Sequence, residues 1–250
     1  MKTIINILIL LFVTINGFSK CISNGLDFWP TKQTINKNSI FVIDGYTWSQ
    51  KIVRGLGTTY KVYLKSEKEE INLKVQEICV GQYNLTQAIL KPEKPLSVGK
   101  EYELVIENLG VLAEEVSRFN YKTNQHEKIK WTVEAQSENV ALDWIEKPKY
   151  KDSYYELFGC GPASYANFTY SANENSAYLI KTSVKNKATG TITTYYLKSN
   201  DKIISIGHGM CSGEFTFDGG DTFEVEFTLV DATGNLTKWT GDKIEFKRPF

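Results

Sequence analysis

The stretch IGHGMCSGEFTF, residues 206–217, holds a histidine three residues before a cysteine among glycines. A cysteine thiolate beside an imidazole base is a common pair for nucleophilic catalysis. On a β-strand, however, His208 and Cys211 point to opposite faces, so a contact between them requires a turn or bulge at Gly209. A working thiolate also needs a lowered pKa and a residue that orients the base, and the sequence identifies neither. The pattern favours a disulfide at Cys211, and a Cys211/His208 dyad is the alternative.

Other catalytic and metal-binding patterns are weaker. The chain has two histidines, His126 and His208, which are too few for a typical nitrogen-ligand zinc site. No phosphate-binding glycine loop, nucleophile elbow or His-Glu-x-x-His motif occurs in the sequence. We therefore expect a non-enzymatic protein without cofactor or metal. Oxygen ligands for calcium remain an alternative to simple turn formation at four residues near predicted hairpins: Asp218, Asp221, Asp231 and Asn235.

Tryptophan and tyrosine supply the strongest binding signal. Neighbouring aromatic residues on one strand cannot both face a single core, so some of them must lie at a surface, an edge or a domain interface. Exposed Tyr and Trp are enriched in protein interfaces and can stack on sugars. A protein or a carbohydrate is therefore the expected ligand, and burial between domains is the competing interpretation. The residues concerned are Trp29, Trp48, Trp144, Tyr154, Tyr155, Tyr195, Tyr196 and Trp239.

The first residues, MKTIINILILLFVTINGFSKC, read as a secretory signal peptide. Lys2 precedes an apolar run, and Gly17 and Ser19 are spaced for cleavage before Lys20. The run is shorter than the roughly 20 residues of a membrane-spanning helix, so no membrane span is expected. The sequence predicts a signal peptide over residues 1–19 and a secreted, periplasmic or cell-surface protein. Lipidation of Cys21 is the alternative, but Lys20 directly before this cysteine disfavours it.

Composition narrows the class of partner. Lys and Arg total 29, as do Asp and Glu, and the two signs are interspersed along the chain. A nucleic-acid-binding protein would concentrate basic residues on one face, so nucleic acid is not an expected partner.

Export implies that the four cysteines are oxidised. Cys21, Cys79, Cys160 and Cys211 allow three pairings, and the sequence does not decide among them. Two cysteines fall in each half of the chain, which favours Cys21–Cys79 and Cys160–Cys211.

Apolar residues recur at every second position, which is the pattern of strands with one buried face. The polar segment YKTNQHEK, residues 121–128, separates two such series, so we predict domains over 20–124 and 125–250. The expected fold is all-β, with two tandem antiparallel sandwiches. The predicted strands are 40–43, 60–64, 71–80, 85–90, 102–106 and 118–121, then 129–135, 165–170, 177–184, 192–197, 202–206, 214–217, 222–230 and 243–246.

Two segments carry a family resemblance. LKPEKPLSVGKEYELVIENL, residues 90–109, resembles bacterial Ig-like domains, with Leu96, Gly99 and Tyr102 at matching positions. DTFEVEFTLVDATGNLTKWTGDKIEF, residues 221–246, is similar to the last strands of fibronectin type III and related Ig-like domains. The resemblance implies two Ig-like modules and a structural corner at Tyr102, whose hydroxyl would bond back to the backbone. It implies a binding or spacing element in the cell envelope or outside the cell. A carbohydrate-binding module and a Cys211/His208 enzyme are the alternative functions.

Overall fold

The computed structural model describes residues 25–135, 141–173, 177–198 and 202–250. The predicted signal peptide and Cys21 lie outside the described residues. Within them the protein is all-β, as predicted. The first half contains β1 Gly25–Trp29, β2 Thr34–Ile35, β3 Phe41–Tyr46, β4 Val62–Lys65, β5 Glu70–Val80, β6 Leu85–Pro92, β7 Glu101–Ile106, β8 Ser117–Asn120, β9 Gln125–Lys128 and β10 Lys130–Val133.

The second half contains eight described strands: β11 Trp144–Phe158, β12 Gly161–Ala172, β13 Leu179–Asn186, β14 Ile192–Lys198, β15 Ile203–His208, β16 Thr222–Val230, β17 Leu236–Lys238 and β18 Ile244–Lys247. Within the described residues, helix is confined to three short segments: a 3₁₀ turn over Thr47–Ser49, the α-helix α1 over Gln50–Gly55, and a 3₁₀ turn over Gly110–Glu115. No described helix has the length and apolar character needed to cross a membrane.

The first half is one eight-stranded sheet that folds over on itself, in the order β1-β3-β6-β5-β4-β7-β10-β2. β5 makes the fold possible because its first residues pair with β4 and its later ones with β6, with a register shift between Val75 and Glu77. Phe41 on β3 and Trp131 on β10 are distant in strand order, yet their ring centroids are 4.8 Å apart. The two layers of the sheet therefore enclose a common core.

The second half consists of two sheets that face each other. One has the order β11-β12-β15, and the other has β14-β13-β16-β17 with β18 also paired to β16. Phe168 on β12 packs edge-on against Phe227 on β16 and Phe246 on β18, at centroid distances of 5.3 and 5.6 Å. These aromatic contacts join the two sheets across the core.

The halves share a hydrophobic core. On β3, Phe41 and Ile43 pack in the core of the first half, whereas Val42 between them packs with Tyr195 and Leu197 of the second half. Five consecutive residues of β3 and six of β6 are buried, as expected for strands covered on both faces. The layer formed by β1, β3, β6 and the end of β5 thus lies between two cores.

The predicted domain boundary at 124/125 is wrong, because it falls inside the first half. The segment read as a linker forms a turn and strand β9, which pairs with β8. β10 then pairs antiparallel with β7 and parallel with β2. The polar composition that suggested a linker belongs to an exposed two-stranded hairpin, and the first half extends at least to Val133.

Candidate binding cleft at the junction of the two halves

The stretch 206–217 connects the halves. After His208 ends β15, residues 209–217, here called the junction loop, cross to the turn between β5 and β6 of the first half. Gly213 N–H donates to the Tyr83 carbonyl at 2.8 Å, and Tyr83 N–H donates back to the Gly213 carbonyl at 3.1 Å. Gln82 N–H donates to the carbonyl of Glu214 at 3.0 Å. These backbone bonds make the junction loop a short antiparallel extension of the first half.

Side chains reinforce the same contact. The Tyr83 hydroxyl donates to the Met210 carbonyl at 3.2 Å, and the Asn84 amide donates to the Cys211 carbonyl at 3.2 Å. Thr216 N–H donates to the side-chain carbonyl of Gln82 at 2.8 Å. The glycine-rich composition that suggested catalysis therefore serves close backbone approach between the two halves.

The structure does not form the alternative Cys211/His208 dyad. The imidazole of His208 is 8% exposed, and its Nδ1 donates to the carbonyl of Gly209 at 2.9 Å. The ring packs edge-on against Tyr83 with a centroid distance of 5.7 Å. Cys211 is disulfide-bonded, and a sulfur in a disulfide offers no thiolate nucleophile.

The predicted disulfide pairing is wrong. Cys79 and Cys160 both carry thiols, so neither Cys21–Cys79 nor Cys160–Cys211 is formed. Cys79 is buried in the core shared by the halves, and burial, followed by the charge of Glu77, raises the pKa of its thiol to about 12. Pairing by halves failed because it assumed two independent domains, whereas Cys79 faces the second half. Cys21 lies outside the described residues.

A buried polar group on β3 ties the first half to β14. Asp44 accepts hydrogen bonds from the Tyr195 hydroxyl and the Gln87 amide, each at 2.8 Å, and its other oxygen lies 3.2 Å from Lys198 Nζ. Lys198 also pairs with Asp27 on β1. Burial raises the pKa of Asp44 above its usual range, against the opposing effect of Lys198. Burial alone would lower the pKa of Lys198, but Asp44 and Asp27 outweigh it and raise that pKa.

Glu214 in the junction loop is a further titratable group at this interface. Burial, the largest cause, raises the pKa of its carboxyl to about 7. The negative charge of Asp44 adds to the effect, whereas a backbone hydrogen bond and Lys198 oppose it. Glu214 therefore exchanges its proton near neutral pH at the contact between the halves.

Tyr102 makes the backbone contact that the family resemblance implied. The side chain is buried, and its hydroxyl accepts a hydrogen bond from the Ser97 backbone N–H at 3.0 Å. The same hydroxyl donates to Glu69 at 2.7 Å. Glu69 also accepts from Lys94 and Lys100, and the bond from Tyr102, followed by these two, lowers the pKa of Glu69 to about 2. Tyr102 thus links β7 to the segment that precedes it.

The aromatic residues singled out in the sequence separate into three groups: buried, partly buried and exposed. Trp29, Tyr195 and Tyr196 are buried in the shared core, which bears out the interpretation of burial between domains for these three. Tyr195 and Tyr196 are neighbours on β14, yet both reach the first half, because their hydroxyls donate to Asp44 and to Glu77. Trp144 and Trp239 are partly buried and pack against each other at 6.0 Å. Trp48, Tyr154 and Tyr155 are exposed.

A cleft of about 260 Å³ lies beside the junction loop. Tyr155, Ser164 and His208 stand opposite one another on β11, β12 and β15, so they form a row across one face of the sheet. Tyr83 of the first half lines the cleft as well, and Arg248 after β18 is another lining residue. The cleft is therefore built from both halves.

Sequence reasoning singled out three members of this cleft, His208, Tyr155 and Asp218, and missed Tyr83 and Arg248. Tyr83 is a single tyrosine in a short turn, and Arg248 is the third-last residue of the sequence given. Neither position carries a periodic pattern or a motif. Their proximity depends on the docking of the halves, which the sequence did not predict.

One of the residues considered as calcium ligands, Asp231, stabilises its own turn through hydrogen bonds. The carboxylate of Asp231 accepts bonds from the backbone and hydroxyl of Thr233 and from the backbone and amide of Asn235, all at 2.8 to 2.9 Å. Across the described part of the chain, no group of three or more His, Cys, Asp or Glu side chains gathers as metal ligands would.

Comparison with known proteins gives no relative. No family model matches the chain, and no curated protein matches it. Among solved structures, a type I pullulanase of Bacillus subtilis strain 168 complexed with maltose is 9% identical with a TM-score of 0.27 over 90% of this chain. Two structures of a pullulanase of Anoxybacillus sp. LM18-11, one of them complexed with maltotriose, are 9% identical with TM-scores of 0.24 over 82% of this chain. The chain spans about a quarter of the length of these proteins, covering 25% and 24% of them. Similarity this low indicates neither a shared fold nor a shared function.

Proposed function

We propose that this chain is an exported, non-enzymatic binding protein of two Ig-like modules, which act as one body and present a ligand surface where they meet. The leader-like first residues support export, and the alternating strands with the corner at Tyr102 support Ig-like modules. The arrangement of His208 and Cys211 supports a structural rather than a catalytic role for the junction loop.

The observation that carries this proposal is the concentration of exposed apolar side chains on β11. This strand is an edge of its sheet, pairing with β12 alone, and most of its residues are exposed. Exposed large apolar groups that cluster on one element, beside a cleft with polar groups, are typical of an interaction surface. Of the exposed residues, Tyr155 and Leu157 are paired with the cleft residues Ser164 and Pro162, so these two face the cleft and form the proposed ligand surface. The full set of exposed apolar residues on β11 is Ile145, Tyr150, Tyr154, Tyr155, Leu157 and Phe158.

The shared core supports a binding role over a flexible spacing role. Tyr83 and Tyr155 belong to different halves, so the cleft keeps its shape only when the halves are rigidly docked. The hydroxyls of Tyr195 and Tyr196 on β14 donate hydrogen bonds to Asp44 and Glu77. The Gln87 amide donates to the carbonyl of Tyr196, and together these bonds hold the halves in one orientation. A protein that only separates two other parts would not need a preformed cleft at its junction.

Retention on envelope material tests the proposal. Mature protein carrying a fluorescent label is incubated with envelope preparations of the producing organism and washed. Tyr155→Ala should reduce retention by about tenfold, because truncating an exposed aromatic contact commonly costs more than 1 kcal/mol of binding. Tyr154→Ala is the matched control, since Tyr154 is 40% exposed and Tyr155 46%, but Tyr154 points to the opposite face of β11.

Two results would contradict the proposal. One is that wild-type protein washes off as readily as an unrelated labelled protein. The other is that Tyr155→Ala is retained as well as the wild type, or that Tyr154→Ala loses as much retention as Tyr155→Ala, because either result would leave the cleft face of β11 without a role in binding.

A further inference from the structure

The polar groups of the cleft at the junction are unusual because two of them have no ionic partner. Arg248 and Asp218 both line the cleft, and neither forms an ion pair with any side chain in the described ranges. The central carbon of the Arg248 guanidinium lies 5.9 Å from the centroid of the Phe250 ring, a contact that does not occupy its five N–H donors. The cleft therefore offers a fork of donors and a carboxylate acceptor to a ligand.

His208 adds an acceptor. Since a carbonyl oxygen can only accept, the bond between His208 Nδ1 and the Gly209 carbonyl places the proton on Nδ1. The other ring nitrogen of the neutral imidazole then carries a lone pair. His208 lines the cleft and is only 8% exposed. Its ring packs against Tyr83, and this contact holds its orientation.

Aromatic rings supply the apolar part of the site. Tyr83 and Tyr155 enter from different halves, and Tyr155 keeps 46% of its surface exposed. An exposed tyrosine ring offers a flat face for a ring that carries C–H groups on one side. Together with the donors of Arg248 and the acceptor of Asp218, this arrangement suits a ligand that has one apolar face and several hydroxyl groups at its edge.

Charge and size restrict the ligand further. The positive charge of Arg248 and the negative charge of Asp218 balance, so the cleft favours neither an anion nor a cation. Its volume of about 260 Å³ is below the 300–1,000 Å³ typical of sites that enclose a drug-sized molecule. The cleft has room for one ring at the end of a longer ligand, while the remainder would extend past Leu157, which is on the same face of β11 as Tyr155.

We propose that this cleft binds a terminal ring of a neutral oligosaccharide, with Tyr155 stacking on the ring and Arg248 and Asp218 bonding its hydroxyl groups. This inference rests on the proposed binding function and names the chemical class of its ligand. It assigns Tyr83 and His208 to the walls of the site, where they position the ligand and exclude water.

Binding of defined sugars tests the inference. The probes are neutral trisaccharides of glucose, mannose, galactose and N-acetylglucosamine, titrated calorimetrically into the mature protein up to about 10 mM, a range that detects dissociation constants near 1 mM. At least one probe should bind, and Tyr155→Ala and Arg248→Met should each weaken it by about tenfold or more. Tyr154→Ala should bind within about twofold of the wild type, because its ring lies on the opposite face of β11.

The inference is overturned if none of the probes binds, if Tyr154→Ala weakens binding as much as Tyr155→Ala, or if a sulfated or uronic-acid trisaccharide binds more tightly than every neutral one. Envelope retention separates these failures from failure of the proposed function. Retention that depends on Tyr155 without binding of any neutral trisaccharide leaves the binding function standing and rejects the saccharide ligand.

Discussion

At the scale of single residues, the histidine, cysteine and glycines that suggested an active site instead form the contact between the halves. His208 bonds to its own neighbour Gly209, Cys211 is oxidised, and Gly213 pairs with Tyr83. A histidine near a cysteine among glycines has the same appearance in an active site and in a tight junction. What distinguishes the two is the partner across the contact, which is distant in sequence.

Gly213 should tolerate no side chain. A Cβ at this position would lie 2.3 Å from Cα of His208 and 2.8 Å from the carbonyl of Gly207, so the backbone of the junction loop would have to move. We expect Gly213→Ala to lower the free energy of unfolding by about 1 to 3 kcal/mol or more, as overpacking does. Gly159→Ala is the control, since its Cβ would meet no atom within 4 Å. Urea denaturation measures both, and equal stability of the two variants would contradict the close approach at Gly213.

Glu214 should make the stability of the protein depend on pH. Its pKa is about 7 when folded, against an ordinary value of 4.5, so the folded state holds the proton more strongly. The resulting stabilisation is complete below about pH 4.5 and is lost as the pH rises to about 7. Two charged groups act on Glu214: the charge of Asp44 raises its pKa and the charge of Lys198 lowers it. The pKa of Asp44 is itself raised, so Asp44 also contributes stability that is lost as the pH rises.

Glu214→Gln removes this titration. We expect the variant to lose less stability than the wild type between pH 5 and 8, and to be the more stable of the two at pH 8, because it buries no charge. Thermal melting at a series of pH values measures the difference. Parallel curves for wild type and variant would show that Glu214 is solvated.

At the scale of elements, strands with one buried face were predictable from the sequence, whereas a strand exposed on both faces was not. β16 alternates Phe223, Val225 and Phe227 with polar residues, and its predicted range of 222–230 is confirmed. β5, predicted at 71–80, is confirmed to within one residue. β11 was missed although it has 15 residues, because it is exposed on both faces and includes Pro148 and several charges. The strand predicted at 214–217 is wrong, because the junction loop makes isolated bridges instead.

The lysines of β11 should protect its free edge. An edge strand presents unpaired N–H and C=O groups to other chains, and charged side chains discourage such pairing. We expect Lys149→Val combined with Lys151→Val to cause self-association that sedimentation velocity detects. Lys185→Val is the control, because β13 has a partner on each side. A monomeric double variant would mean that other features guard this edge.

At the scale of the whole molecule, the sequence predicted the all-β class but not the relation between the halves. Alternation identifies one buried face for a strand, whereas β3 and β6 are covered on both faces. Their short continuous apolar runs, Phe41 to Ile43 and Ala88 to Leu90, were the signal available for a second layer. The wrong boundary and the wrong cysteine pairing have the same origin, since both assumed that each half folds by itself.

The oxidation state of the cysteines gives a direct count. We expect mature protein, unfolded without reductant, to titrate two thiols, Cys79 and Cys160. Alkylation before digestion and mass spectrometry should locate both labels at these positions and none at Cys211. A count of zero would contradict the thiols at Cys79 and Cys160, and a count of four would remove the disulfide at Cys211.

The central claim is that the two halves form one rigid body around a shared core, and labelling of Cys79 tests it most directly. This thiol is 5% exposed, lies in the shared core, and has a pKa of about 12, so it reacts only after the halves separate or unfold. In a Cys160→Ser background, iodoacetamide should label Cys79 at a rate that gives an opening free energy equal to that of global unfolding, measured by urea denaturation of the same protein. Labelling that is orders of magnitude faster, with the strands still folded by circular dichroism, would show that the halves move apart as separate domains and would contradict the account.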